Sequence, residues 1–233
     1  VNRGQITKRV IQILGLDDTV GGEEVTLVHD LIDEGILDIS RRTKLNLRCV
    51  NLHIPAGNSY FELDEGILTM MDLRLMPSTS SPNPNGKRMT QAHADEVLDD
   101  TSGLSFSIVG YNGLLLAGGT DSDRTLKAWY VPRPLRMSDD SQSPADSQYG
   151  NLPEEFHNTA LLNYVLWNGA DYGDDITSQS GEHYRMLYEG QDGRGGNLQD
   201  IHKMINRRAT PGGRRGQLTD SYVSYDYITT GGF

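Results

Sequence analysis

Apolar residues at the start of the chain recur with the period of a helix. Ile6, Val10, Ile11 and Leu14 fall on one face, and Gly15 behind them suits a left-handed C-cap, so the spacing predicts a first helix. A Gly-Gly break opens a longer helix in which Val25, Val28, Leu31, Ile32, Ile36 and Ile39 form a stripe while Glu23, Glu24, Asp33 and Glu34 turn away. Acidic residues at its start and Arg41, Arg42 and Lys44 at its end complement the helix dipole. Gly35 inside it costs about 1 kcal/mol relative to Ala, and so predicts a close helix contact or a bend.

After Thr43 the period becomes two. Leu45, Leu47 and Cys49 alternate on one face and Val50, Leu52 and Ile54 continue after a shift, which predicts a strand with a bulge near Cys49. Turns after Pro55 and at Asp64-Glu-Gly set off YFEL and ILTMMDLRLM, two further strands of an expected meander. Residues 77–88 have the Pro/Ser/Asn composition of a loop. Thr90 is expected to cap a short helix, QAHADEVLDD, with Ala94, Val97 and Leu98 as its apolar side. FSIVGYNGLLLAGG reads as a hairpin turning at Asn112-Gly113. TLKAWYVPRP reads as a strand, Leu126, Ala128 and Tyr130 opposed to Lys127, Trp129 and Val131.

A polar Asp/Ser/Pro linker then leads to a helix starting at Pro153, with Glu154 and Glu155 in its first turn. Phe156, Ala160, Leu161, Tyr164, Val165 and Trp167 give it a wide apolar arc. Ser178 or a neighbour starts another helix, with His183, Tyr184, Leu187 and Tyr188 at helical spacing. In NLQDIHKMINRR, Leu198, Ile201 and Ile205 share a face. PGGRRG then reads as a hinge, and SYVSYDYITT alternates like a strand without a partner in its own domain. The expected fold class is α+β. A helical bundle of two N-terminal helices plus closing helices spans 1–44 and 150–208. An inserted antiparallel β-rich domain with a short helix near 90–100 spans 45–135, a linker 136–149, and an extended C-terminal docking arm 209–233.

Composition narrows the chemistry. No apolar run approaches the roughly 18 residues that span a bilayer, and the polar residues of VNRGQITKRVIQILG interrupt any signal-peptide core, so no membrane partner is expected. The single cysteine, Cys49, excludes an internal disulfide and a thiolate metal cluster. A formal charge of −11 argues against wrapping nucleic acid. From Arg194 onward, however, the charge is +3, which leaves −14 on the residues before it: an acidic body with a basic tail.

The aspartates Asp121, Asp123, Asp139, Asp140 and those of DYGDD (171–175) lack the offsets of a calcium loop and read as turn or cap residues. Neither HExxH, a GxSxG elbow, a P-loop nor GxGxxG occurs, so no catalytic, metal or cofactor residue is assigned. The Arg207, Arg208, Arg214 and Arg215 cluster lacks interleaved aromatics and fits a partner-docking arm better than a DNA contact. Tyr222, Tyr225, Tyr227 and Phe233 complete the candidate docking residues.

The strand ending in YVPRP, the linker SDDSQSPAD and the helix beginning LPEEFHNTALLNYVLW resemble the signature of head-to-tail connector adaptors of tailed bacteriophages. The order of features over residues 3–208 is similar too, from two N-terminal helices ending in Arg41-Arg42-Thr43 to a closing helix pair. The resemblance implies a non-enzymatic virion protein assembled in the host cytoplasm. It implies a homo-oligomeric ring, usually a dodecamer, seated under the portal protein and joined to the next neck or tail protein. DNA would pass through its lumen without sequence-specific binding. Two readings compete with it: another neck component (stopper or tail terminator), and a β-rich carbohydrate-binding or hydrolytic module using the aspartates and exposed aromatics such as Trp129.

Overall fold

The computed structural model describes residues 1–19, 22–77, 86–118, 122–172, 178–191 and 194–209. The fold class is α+β. The described residues divide into a helical unit, residues 1–46 and 134–209, and a β unit, residues 47–133.

In the helical unit, α1 (Arg3–Leu14) starts in a capping box: Gln5 N donates to Asn2 Oδ1 at 2.9 Å, and Asn2 N to Gln5 Oε1 at 3.0 Å. Gly15 closes it in the left-handed conformation. The stripe of α2 (Glu23–Thr43) joins that of α1 in one core with Leu161, Val165 and Leu166. Gly35 is a close helix contact, because a Cβ there would stand 2.8 Å from Leu161 Cδ1 and Tyr164 Cδ1. Residues 136–149 are fastened to α1. Buried Arg3 donates from Nη1 to Met137 O and from Nη2 to Asp140 Oδ1 at 3.0 Å, while Met137 and Tyr149 enter the core.

The helix expected from Pro153 onward is three conformations in succession. A 3-10 turn (Glu154–Phe156) runs into a π turn (His157–Leu161) and only then into α4 (Leu162–Gly169). His157 lies fully buried at the change, its ring nitrogens 3.0 Å from Val1 O and 2.8 Å from Leu152 O. That tertiary anchor leaves no trace in apolar spacing. α5 (Ser178–Glu189) turns Tyr184 and Tyr188 inward, whereas His183 is exposed and Leu187 is 42% exposed, so the expected four-residue face is two tyrosines wide. α6 (Asn197–Ala209) packs on α2 and α5 through Leu198 and Ile201, with Ile205 half-buried.

Three histidines of this unit are held below their ordinary value of 6.5, each first by burial: His29, assisted by Arg3; His157; and His202, assisted by Lys44. For His157 the two carbonyls pull the other way, and burial outweighs them. A depressed histidine protonates more readily in the unfolded chain, so stability present above 6.5 is lost as pH falls through the folded values. The urea midpoint of the helical unit, read by Trp167 emission in a Trp129→Phe background, is expected to fall between pH 7.5 and 5.5; a flat profile contradicts this assignment.

The β unit contains two facing sheets. One has the order β1-β8-β3-β4, from Arg48–Ile54, Arg124–Pro132, Ile67–Leu75 and Lys87–Arg88; the other has β2-β7-β6-β5, from Tyr60–Glu62, Gly113–Leu116, Ser105–Val109 and Thr90–Gln91. Leu52, Ile54, Leu73, Leu126, Ala128 and Tyr130 of the first meet Phe106, Leu114 and Leu116 of the second in a shared core.

Several local expectations are corrected here. The meander does not form, because β8 lies between β1 and β3, and β2 pairs with β7. β1 pairs with β8 without interruption from Arg48 to Ile54, and the irregularities fall in β3, between Ile67 and Thr69 and between Met70 and Asp72. Val109 pairs with Gly113, so the hairpin turns through Gly110–Asn112, with Gly110 at φ +66°. Thr90 belongs to a strand parallel to β6 rather than to a helix cap; α3 (Ala94–Asp99) starts after His93, and it buries Val97 while leaving Leu98 66% exposed.

Candidate docking surfaces

Of the candidate docking residues, Arg207 is the one whose side chain is described. It is exposed on the last turns of α6 and lines a groove of about 330 Å³ with Glu155, Phe156, Asp200, Lys203 and Met204. Burial of α6 through Leu198 and Ile201 orients the opposite side of the helix, carrying Asp200, Lys203 and Arg207, toward this groove. Its floor is apolar, from Phe156 and Met204, and its rim is mixed in charge. Lys203 Nζ sits 3.0 Å from Asp200 Oδ1, an exposed pair worth a few tenths of a kcal/mol at most. Such a groove offers an apolar seat with charged edges, the chemistry of protein docking.

Arg208 lies in the last turn of α6. Arg214, Arg215, Tyr222, Tyr225, Tyr227 and Phe233 lie outside the described residues. Glu155, Phe156, Asp200, Lys203 and Met204 carry no docking signal in the sequence, because the groove joins positions about fifty residues apart. Of the residues that line the groove, the arginine cluster includes Arg207 alone.

A second charged surface lies on the β1-β8-β3-β4 sheet, on the face away from the shared core. Lys127, Arg74 and Arg88 stand opposite one another across β8, β3 and β4. Like charges in direct register repel, and Asp72 offsets this: its side chain is 0% exposed, with Arg74 Nε at 2.7 Å and Arg88 Nε at 3.0 Å. Arg74 Cζ and Lys127 Nζ also lie 5.4 and 4.9 Å from the ring centroid of Trp129. Trp129 itself is 3% exposed, which corrects its expected role as an exposed aromatic and removes it as a glycan-stacking platform. Both sides of β8 are apolar in sequence, and Trp129 and Val131 on this side are as buried as the residues of the shared core.

No helix of the described residues is long and apolar enough to cross a membrane, and among them no group of three His, Cys, Asp or Glu could hold a metal ion. Comparison with curated proteins finds no match. The family model of the SU10 adaptor protein matches residues 1–215, which takes in both units and the groove around Arg207 and ends before the tyrosines of the C-terminal stretch. The chain therefore belongs to the SU10 adaptor protein family, a family of phage head-to-tail adaptors, and is a structural bacteriophage protein.

Proposed function

We propose that this chain assembles into a homo-oligomeric ring, dodecameric as such adaptors usually are, beneath the portal. There it joins the capsid vertex to the next neck or tail protein around the DNA channel. The family match over residues 1–215 carries this reading. The net charge of −11 supports it, since an acidic wall lets DNA slide past without holding its phosphates. Residues 209–233, with Arg207 and Arg208 at their root, act as the arm that docks on a portal subunit. Mixing the purified chain with its portal and imaging the product by electron microscopy tests the reading. A ring seated under the portal is expected, and a chain that never joins the portal under any condition overturns it.

The arm makes a sharper prediction. Deleting residues 210–233 is expected to leave both units folded and to weaken portal binding by at least about tenfold, the effect of losing roughly 1.4 kcal/mol of contacts. Titrating truncated and full chains against immobilised portal checks it, and equal affinities count against the arm.

A further inference from the structure

Two features of the described surface set apolar residues among charges. The first is a knob on the β unit. α3 packs on β6 and β7 and buries Val97, and helical spacing then turns Asp95, Leu98 and Asp99 away from the sheet, where all three are exposed. Asp100 pins the end of the helix, accepting from Ser105 Oγ at 2.5 Å and from Ser102 N at 2.7 Å. An exposed leucine alone says little, but its setting is one-sided in charge. Residues 89–118, which take in α3, β6 and β7, contain the carboxylates Asp95, Glu96, Asp99 and Asp100 and no lysine or arginine, and among the described residues neither Asp95 nor Asp99 is in an ion pair. The second feature is the groove of about 330 Å³ on the helical unit, with its apolar floor of Phe156 and Met204 and with Lys203 and Arg207 on its rim. Among the described residues Arg207 has no carboxylate partner, and Lys203 has the exposed Asp200.

We propose that the groove of one copy receives α3 of a second copy, with Leu98 seated on Phe156 and Met204 and with Asp95 and Asp99 facing Lys203 and Arg207. This rests on the ring reading above and names the contact that builds the ring. Knob and groove are different patches of the chain, so the contact is head-to-tail, the kind that repeats from copy to copy and closes into a ring instead of ending at a self-complementary pair. The apolar anchor supplies a desolvated centre, and the charges around it supply orientation. Two copies of α3 repel one another, as do α3 and DNA phosphates, so the knob is selective for a cationic seat. Glu155 and Asp200, the acids of the groove, sharpen that selection, since the attractive orientation is the one that keeps the carboxylates of α3 on Lys203 and Arg207.

Sedimentation of the purified full chain at sub-millimolar concentration, without portal, tests the contact. The natural chain is expected to associate beyond a dimer. Lys203→Glu with Arg207→Glu spoils the groove, and Asp95→Arg with Asp99→Arg spoils the knob; each pair of changes weakens association at least about tenfold, a loss of roughly 1.4 kcal/mol. Mixed together, the two variants form one-to-one complexes and stop there, because one intact knob and one intact groove remain between them. A chain carrying all four changes associates again. Leu98→Ser weakens association with no change of charge, and at 66% exposure the side chain lies outside the core, so the variant keeps its fold. A natural chain that stays monomeric, variants that associate as the natural chain does, or a mixture that does not pair overturns the contact. A ring under the portal that the variants build equally well also overturns it and leaves the ring reading standing. One-to-one pairing of the mixed variants with no ring on the portal supports the contact and overturns the ring reading instead.

Discussion

Tyr188→Ala is expected to lower the stability of the helical unit by about 3–5 kcal/mol, the range for removing a large buried aromatic side chain. Tyr188 is 0% exposed and is the piece of α5 that reaches deepest into the core. Its ring meets Tyr164 edge-on at 5.4 Å and Trp167 at 6.2 Å, and Arg42 lies 5.8 Å from its centroid. Its hydroxyl donates to Asp38 Oδ2 at 2.6 Å, and burial, with that carboxylate, pushes the phenol well above its usual range, so it remains a donor at any working pH. The alanine variant therefore loses packing on three sides and leaves a void that α2, α4 and α5 cannot all close.

Tyr188→Phe separates the hydrogen bond from the packing. A bond to a charged acceptor is worth about 1.5–3 kcal/mol, and the low end applies because Asp38 is partly exposed and keeps Arg42 Nη1 at 3.6 Å. Urea unfolding followed by Trp167 emission in the Trp129→Phe background measures both variants. A loss under about 1 kcal/mol for alanine would mean that α5 is dispensable to the core, contrary to its packing.

What was legible in the sequence was what one element decides for itself. The stripes of α1 and α2 and the Gly15 cap depend on residues within one or two turns, and all take their expected places. Gly35 was readable as a contact because a glycine in a strong helix needs a reason, although nothing local said that Leu161 and Tyr164 would supply it. The β unit shows the limit. Alternation marked β1, β3 and β8 as strands, but β8 between β1 and β3 brings together residues roughly fifty to eighty positions apart, and no period encodes that choice. Leu98 failed for a related reason: α3 is six residues long, and one buried residue, Val97, satisfies it.

The docking surfaces were legible only as charge. The arginines near the C-terminus marked Arg207, whereas the groove it lines needed Phe156 and Met204 from two distant elements. The cation row was hidden more thoroughly. Lys127, Arg74 and Arg88 are spread over 54 positions of sequence and become one row only through register.

The buried carboxylate in that row gives the largest effect expected in the β unit. Arg74→Met is expected to destabilise it by about 3 kcal/mol, the cost of leaving a buried charge without its partner. Asp72 is 0% exposed and Arg74 Nε is its nearest cation at 2.7 Å; Arg88, 65% exposed, keeps most of its own hydration and replaces little of what is lost. The reverse change, Asp72→Leu, should cost less, about 1–2 kcal/mol, because the Arg74 guanidinium retains the face of Trp129 and can turn toward water. Combining the two removes both charges, so the double variant should be more stable than Arg74→Met alone, a coupling of at least about 1 kcal/mol. Trp129 emission in a Trp167→Phe background reads all three in urea, since that indole lies on the same face. Strict additivity would show that the pair is not coupled and that Arg88 or water already satisfies Asp72. Coupling of the expected size would show that Asp72 and Arg74 stabilise this sheet as a pair.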